Sequence, residues 1–283
     1  MKRISIVTIS LLAAGVVLAQ FGGWGRRGHF DDDEPGGRPS RNGVPDWEVK
    51  KHMPDDLFTF VRVRYSSSGR RGGGWRTDYP DSDLNFSFRL QELTSIEVHP
   101  DGKILELTDP ELFDYPFIYM IEPGSIWLSE DERAALRKYL ENGGFLMVDD
   151  FWGDREWEGF MEEFRQVFPD RDMDRDLQEL PLEHPIFHCV FDLKEKPQVP
   201  AMQNAIRGRN QGITWELNKT GARDVSYKAL FDKDGRMMCI VCHNTDLGDG
   251  WEREGEDEWF FREFSEKKSY PMGVNIVFYA LTH

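Results

Sequence analysis

Residues 115–150 read YPFIYMIEPGSIWLSEDERAALRKYLENGGFLMVDD, and this stretch decides the fold of the chain. Residues 115–121 form a nearly continuous apolar run, which is typical of a central strand of a parallel sheet, buried on both faces. Ser129 and Glu132 form a capping box that starts a helix, residues 142–144 (Asn-Gly-Gly) end it, and residues 145–148 are a second buried strand. Strand, helix and strand with short connections predict a right-handed βαβ unit with parallel strands.

The segments on either side of this unit extend the same pattern. Residues 58–65 are rich in β-branched and aromatic side chains and predict a strand. The other predicted elements are a helix at 81–94, short strands at 96–98 and 104–107, a helix at 155–168, a hairpin of strands 227–231 and 237–243, and helices at 258–266 and 272–281. The order predicts an α/β fold with a doubly wound, mostly parallel, flavodoxin-like sheet and one antiparallel hairpin. We expect strand 237–243 to be the parallel member of that hairpin and strand 227–231 to be reversed.

The chain divides into three predicted parts. Residues 1–19 combine Lys2 and Arg3 with an apolar run that ends at Ala19, which is the pattern of a cleaved signal peptide. This run is shorter than the roughly 20 residues of a spanning helix. Residues 20–56 are rich in Gly, Arg, Asp and Pro and predict a disordered linker, and residues 57–283 form a single α/β domain. We therefore expect a periplasmic or extracellular protein with no transmembrane segment in its mature chain.

Charge and cysteine content exclude several classes of function. The formal net charge is −16, and so acidic a surface repels phosphate backbones, so nucleic acid is not an expected partner. The cysteines are Cys189, Cys239 and Cys242, an odd number that permits no complete disulfide framework. Residues 239–243 match the haem attachment pattern, but thiols three positions apart on a strand point to opposite faces, so we expect neither haem nor a bond between them. The sequence assigns no cofactor, no metal ligand and no protein partner.

Candidate site residues follow the predicted strands. In open α/β sheets, ligands bind outside the carboxyl ends of the strands, so side chains just after each strand are the first to consider. The candidates that this rule gives are Trp75, Asp78, Tyr79, Glu122, Asp149, Asp150, Trp152, His243, Asn244, Asp246 and Asp249. Trp251, which follows Asp249 closely, is added to them as an aromatic candidate. We expect one cleft to gather Asp78, Asp149, Asp150, His243, Asp246 and Asp249. Carboxylates brought close together raise one another's pKa or recruit a cation.

Two of these groups also have an ordinary structural interpretation. Asp149 and Asp150 precede a predicted helix and would serve as its cap. Residues 246–250, Asp-Leu-Gly-Asp-Gly, have the composition of a plain turn. Both alternatives remain open at the level of sequence.

Three motifs resemble a known family. They are residues 74–80 (GWRTDYP), 143–153 (GGFLMVDDFWG) and 243–252 (HNTDLGDGWE). The chain resembles the bacterial family called domain of unknown function 4159 over essentially everything from residue 58 to residue 283. The resemblance implies a fold akin to class I glutamine amidotransferases and ThuA-like proteins, and it implies no established activity. The amidotransferase relatives place a nucleophilic cysteine at a strand-to-helix elbow, whereas the corresponding residues 149–153 contain no cysteine or serine, so glutamine hydrolysis through a thioester is not expected.

These observations support one leading hypothesis and two rivals. The leading hypothesis is a ligand-binding or envelope-associated module in which Trp75, Tyr79, Trp152 and Trp251 offer flat faces to a small polar or saccharide-like ligand and the aspartates accept its hydroxyls. The first rival is a hydrolase acting on an envelope saccharide or peptide, with or without a metal. It would use Asp149 or Asp150 as ligand or general base and His243 as acid-base partner. The second rival is a structural partner domain, which would expose an apolar patch instead of a cleft.

Overall fold

The computed structural model describes residues 41–49, 57–67 and 74–283. The predicted signal peptide and most of the predicted linker lie outside the described residues. The strands of the described part are β1 (Val61–Arg64), β2 (Ser66–Ser67), β3 (Lys103–Glu106), β4 (Phe117–Ile121), β5 (Ile126–Trp127), β6 (Phe145–Phe151), β7 (Leu177–Glu179), β8 (Ser226–Phe231) and β9 (Met237–His243).

The main sheet is mostly parallel, as predicted. Within the described residues it has seven strands in the order β3-β1-β4-β6-β9-β8-β7, and β2 and β5 form a separate antiparallel pair. Neighbours from β3 to β9 are parallel, whereas β8 runs antiparallel to both β9 and β7. The hairpin therefore has β9 as its parallel member and β8 as its reversed member, which confirms that prediction. Because parallel strands end on the same side, β4, β6 and β9 deliver their last residues to one edge.

The helices fill the connections between the strands. They are α1 (Asp81–Leu93), α2 (Glu130–Glu141), α3 (Gly153–Val167), α4 (Met173–Asp176), α5 (Met202–Gly208), α6 (Leu247–Glu252), α7 (Glu258–Phe260) and α8 (Tyr270–Thr282), with a π-helix at Phe261–Ser269 between α7 and α8. The capping box of α2 is present, since Ser129 and Glu132 bond reciprocally. The sequence predicted two separate helices after residue 258, but the helical path is continuous. Pro271 lies in the first turn of α8, at the junction with the π-helix, and does not break this path.

Each face of the sheet has its own apolar core. On one side, called the α1/α8 face, the core includes Phe86, Tyr119 and Trp251. On the other side, called the α2/α3 face, it includes Leu136 and Phe160. Helices on both faces make the sheet doubly wound, as predicted. Cys239 belongs to the core of the α2/α3 face and Cys242 to that of the α1/α8 face, so the two thiols point in opposite directions.

Residues 41–49, which composition placed in the disordered linker, contact the folded domain. The indole of Trp47 packs against Phe88 with 5.9 Å between ring centroids, and its Nε1 donates to the Val98 carbonyl at 2.9 Å. Arg41 donates to the Pro100 carbonyl at 2.7 Å. Contacts of individual side chains, that of Trp47 above all, hold this stretch against the domain. The average composition of a segment does not reveal such contacts. In the described part of the chain, no helix has both the length and the apolar character needed to cross a bilayer.

Candidate functional site

Polar residues with a left-handed backbone mark the carboxyl edge of the sheet. Glu122 follows β4, Asp150 lies near the end of β6 and Asn244 follows β9, with φ angles of 49°, 52° and 60°. Asp78, in the turn that leads into α1, has a φ of 63°. Residues other than glycine adopt this conformation uncommonly, and strained backbone of this kind clusters at functional sites. This geometry locates the candidate site at the edge formed by β4, β6 and β9.

Two triads of carboxylates meet at this edge and share one member. Asp78, Asp150 and Asp246 each place one oxygen within 4.8 Å of the others. A second triad joins Asp78 to Asp249 and Glu252 within the same distance. One cleft was predicted for these four aspartates together with Asp149 and His243, and the structure brings the four aspartates together. Glu252 was missed because it lies within a helix and not directly after a strand.

Asp149, near the end of β6, is a fully buried carboxylate beside the triads. Its Oδ2 accepts hydrogen bonds from the Tyr119 hydroxyl at 3.1 Å and the Gly248 amide at 3.0 Å. Its Oδ1 has no hydrogen-bond partner among the described residues, although the amides of Leu247 and Asp150 are near enough to lower the pKa of Asp149. Burial is the larger influence and raises the pKa of Asp149 to about 7. Asp149 and the two triads together are called the carboxylate cluster below.

Burial and mutual repulsion raise pKa values across the carboxylate cluster. For Asp78, Asp150 and Asp246, burial is the largest cause of the raised pKa, and the charges of neighbouring carboxylates add to it. Burial also raises the pKa of Glu252 to about 7, although the Arg253 guanidinium opposes this. Asp78 as a residue is partly exposed, but its Oδ2 atom is buried. Burial therefore acts on the pKa of its carboxyl group. Such a cluster holds shared protons or binds a cation.

A buried ion pair that the sequence analysis missed holds the loop leading to Asp78. Arg62 in β1 and Asp83 in α1 are 0% and 1% exposed, and Arg62 Nη2 lies 2.5 Å from Asp83 Oδ1. The guanidinium also donates to the carbonyls of Trp75 and Thr77 at 2.9 Å each. These contacts fix the backbone just before Asp78. The sequence feature that could have predicted this pair is an arginine at an inward position of β1, because a fully buried arginine needs a partner.

The two structural alternatives have different outcomes. Asp246 is the N-cap of α6 and accepts a hydrogen bond from the Asp249 amide at 2.7 Å, so residues 246–250 begin a helix and are not a plain turn. Asp246 thus combines a capping role with its place in the first triad. The N-cap of α3 is Trp152, with no side-chain cap bond. Asp149 and Asp150 therefore do not cap that helix.

His243 does not join the carboxylate cluster, which corrects the predicted convergence of six residues. Its ring packs against Phe151 and Trp157 on the α2/α3 face, with centroids 4.9 and 5.0 Å away. Asp149 points to the opposite face, where it bonds to Tyr119. Burial lowers the pKa of His243 to about 4, so the ring is neutral near pH 7. His243 is therefore not placed to act as an acid-base partner for the aspartates.

Asn244 is engaged in holding loops together. Its Oδ1 accepts from the Gly153 amide at 2.8 Å, and its Nδ2 donates to the carbonyls of Gly221 and Asp224 at 2.9 and 2.8 Å. These contacts tie the segment after β9 to the start of α3. Asn244 thus has a structural role, and its ligand-binding role stays a prediction.

The predicted aromatic lining is buried in the fold. Trp75, Trp152 and Trp251 are only 9%, 3% and 0% exposed. The Trp251 ring packs against Phe86 with 4.4 Å between centroids. Tyr79 is half-buried, and the guanidinium carbon of Arg62 lies 5.8 Å from its ring centroid. The three indoles are packed in the core and offer no open face to a ligand in this structure, and their part in ligand binding stays a prediction.

A pocket of about 830 Å³ lies next to the carboxylate cluster and includes Asp150 in its wall. Trp127 of β5 also lines it and is 49% exposed. This indole offers the open face that the predicted tryptophans lack, and the sequence analysis missed it, although it follows β4 closely. The lining residues are Gly74, Glu122, Gly124, Ser125, Ile126, Trp127, Asp150, Arg155, Glu156, Gly159, Glu162, Glu163 and Lys219.

Comparison with known proteins agrees with the resemblance seen in the motifs. No curated protein matches the chain. Residues 59–281, almost the entire folded domain, match one family model. The chain therefore belongs to the family described as a domain of unknown function, DUF4159.

Proposed function

We propose that the chain is an exported ligand-binding domain that takes a small polar, saccharide-like ligand in the pocket at the carboxyl edge of the sheet. The observation that carries this proposal is that Asp150 belongs both to the pocket wall and to the carboxylate cluster. Ligands of open α/β sheets bind outside the carboxyl ends of the strands, where this pocket lies.

The chemistry of the lining supports a polyhydroxylated ligand. The carboxylates of Glu122 and Asp150 can accept hydrogen bonds from hydroxyl groups, and the Arg155 side chain adds donors. Trp127 supplies a flat apolar face at the same pocket. The other side chains of the lining are mainly charged or polar, which suits a ligand rich in hydroxyl groups. Trp127 thus takes the role that the sequence analysis gave to the buried indoles.

Calorimetric titration of the mature chain with chitotriose and with a peptidoglycan-derived muropeptide tests the proposal. We expect at least one of the two to bind, and Trp127→Ala to abolish that binding because the stacking face is removed. Phe113→Ala is the matched control, since Phe113 is a 42% exposed aromatic ring located before β4, at the opposite edge. Absence of binding by both probes, or equal binding by the Trp127 variant and wild type, would contradict the proposal.

A hydrolase is the second candidate, and the position of Asp150 favours it. Asp150 lies at the turn from β6 to α3 with a φ of 52°, and a strained strand-to-helix turn is the geometry of a nucleophile elbow. Burial, followed by the charge of Glu122, raises the pKa of Asp150, which suits a general acid. Mass spectrometry of the same probes after incubation with wild type and with Asp150→Asn tests this role. Cleavage by wild type alone supports hydrolysis, and intact probes exclude it without affecting the binding proposal.

We also propose that the scaffold is akin to that of class I glutamine amidotransferases and ThuA-like proteins. The doubly wound sheet and the elbow at Asp150 support this relation. The signal-peptide pattern of residues 1–19 supports a periplasmic or extracellular location. An acidic domain at the cell envelope would meet saccharides there, which fits the proposed ligand class.

A further inference from the structure

We propose that Asp78, Asp150 and Asp246 bind a divalent cation that prefers oxygen ligands, Ca²⁺ or Mg²⁺. One oxygen from each residue lies within 4.8 Å of the other two, so a single ion can contact all three. Both cations bind carboxylate oxygens, at roughly 2.3–2.6 Å for Ca²⁺ and 2.0–2.1 Å for Mg²⁺. The inference goes beyond the proposed function, because ion binding needs no saccharide.

A second observation, independent of the triad distances, indicates a missing positive charge. Asp149 is 0% exposed, yet its Oδ1 has no hydrogen-bond partner among the described residues. Its Oδ2 accepts from the Gly248 amide at 3.0 Å, and a Cβ on Gly248 would lie 2.7 Å from Asp78 Oδ2, so Asp149 and Asp78 lie against the same glycine. Buried carboxylate oxygens without partners are costly, and a cation among them removes that cost.

The first triad, and not the second, is the place for the ion. In the second triad, Arg253 Nε lies 3.2 Å from Asp249 Oδ1 and Arg253 Nη2 lies 2.8 Å from Glu252 Oε2. That guanidinium already supplies a positive charge there. Within the described ranges, no lysine, arginine or histidine forms an ion pair with Asp78, Asp150 or Asp246.

The local hydrogen bonds leave each ligand free to bind an ion and make asparagine a mild replacement. Asp150 Oδ1 accepts from Trp152 Nε1 at 3.2 Å, and Asp246 Oδ1 accepts from the Asp249 amide at 2.7 Å. In both residues the other carboxylate oxygen is available to a cation. Asparagine keeps one acceptor oxygen, caps helices as well as aspartate and tolerates the left-handed backbone. Asp150→Asn and Asp246→Asn therefore remove negative charge while keeping these bonds.

The experiment is calorimetric titration of the EDTA-treated full chain with CaCl₂ and, separately, with MgCl₂. We expect wild type to bind at least one of the two ions. Asp150→Asn and Asp246→Asn should weaken that binding by at least about tenfold, the loss seen when even an outer partner of a metal ligand is removed. Glu106→Gln is the control carboxylate, because Glu106 is exposed, pairs with Arg64 and lies outside the carboxylate cluster, and it should keep an affinity close to wild type. The bound ion should also raise the Tm of wild type, because it binds the folded state alone.

Each outcome decides the matter. Binding by wild type, lost in both aspartate variants and kept in Glu106→Gln, supports the site. No heat and no Tm change with either salt overturns it, and the wild-type titration alone gives that answer if a variant fails to fold. Equal loss in Glu106→Gln and Asp150→Asn also overturns it, because binding would then depend on the overall negative charge and not on the triad. Failure of the saccharide titrations would leave these results unaffected.

Discussion

At the scale of single residues, Arg62 illustrates how a buried charge positions the site. Its guanidinium is completely buried and bonds to Asp83, Ser82 and two backbone carbonyls. Removing one member of a buried pair leaves the other charge without compensation, which costs far more than losing a pair in solvent. The same strand offers a direct comparison, because the Arg64 and Glu106 side chains, 52% and 46% exposed, pair in solvent.

We therefore predict that Arg62→Ala lowers the free energy of unfolding by roughly 3–5 kcal/mol. The control Arg64→Ala should lower it by less than about 1 kcal/mol, because exposed pairs contribute little. Urea denaturation followed by circular dichroism measures both values. Equal losses in the two variants would show that the buried Arg62–Asp83 pair contributes no more than the exposed Arg64–Glu106 pair.

A second residue prediction concerns the pH dependence of stability at His243. Burial lowers the pKa of His243 from 6.5 to about 4, so between these values the unfolded state binds a proton that the folded state does not. Stability from this residue is therefore lost as pH falls from about 7 toward 4. Between about pH 7.5 and pH 5, the stability of wild type relative to His243→Gln should fall by about 2 kcal/mol. Urea denaturation at the two pH values gives this difference, and a difference that does not change with pH would refute the shifted pKa.

At the scale of elements, the turn between β6 and α3 decides where Asp150 points. The backbone path of this turn depends on Gly153, which has a φ of +75° and lies against the segment that precedes β8. A Cβ at this position would come within 2.4 Å of the Thr220 carbonyl oxygen. The Gly153 amide also donates to Asn244, so the turn is held on both sides. The same close packing that buries Asn244 therefore fixes the elbow.

We predict that Gly153→Ala destabilises the protein more than Gly143→Ala does. Gly143 also has a left-handed backbone, with a φ of +106°, but a Cβ there would meet nothing within 4 Å. Gly143→Ala should cost about 1–2 kcal/mol through backbone strain alone. Gly153→Ala should add roughly 1–3 kcal/mol through the clash. Thermal unfolding of the two variants measures the difference, and equal Tm values would mean that the turn relaxes without loss.

At the scale of the whole molecule, the chain combines an acidic folded domain with a predicted export signal. The folded domain includes residues 41–49, which dock through Trp47, and the predicted signal lies outside the described residues. The formal net charge of the chain is −16, and the carboxylate cluster lies at one edge of the sheet. Export and ion binding would fit together, because the ion would come from the medium around the protein.

The prediction at this scale is that the mature chain begins at Gln20. Ala19 completes the small-residue pattern of a signal-peptidase site. N-terminal mass analysis of the protein recovered from the periplasm or medium of an expressing bacterium checks it. Ala19→Leu removes the small residue and should leave a longer, uncleaved chain. Recovery of wild type with an intact Met1 would contradict the prediction.

The sequence by itself determined the layered architecture and the edge at which the site lies. Apolar runs at 117–121 and 145–148 and the capping box at Ser129 act locally, through burial and hydrogen bonds between near neighbours in the chain. The convergence of Asp78, Asp150 and Asp246 followed from one general rule, because each lies near or after the end of an element that ends at the same edge. Predicting the architecture and the edge of the site required no information on contacts between distant parts of the chain.

Only the tertiary structure decided which side of the sheet each candidate faces and what covers it. His243 and Asp149 both lie near strand ends, but β6 bulges after Val148, and the alternation of side chains puts them on opposite faces. The burial of Trp251 and the exposure of Trp127 depend on helices packed from distant parts of the chain. The Arg62–Asp83 pair joins a strand to a helix, and such a pairing is set by packing that no local pattern encodes.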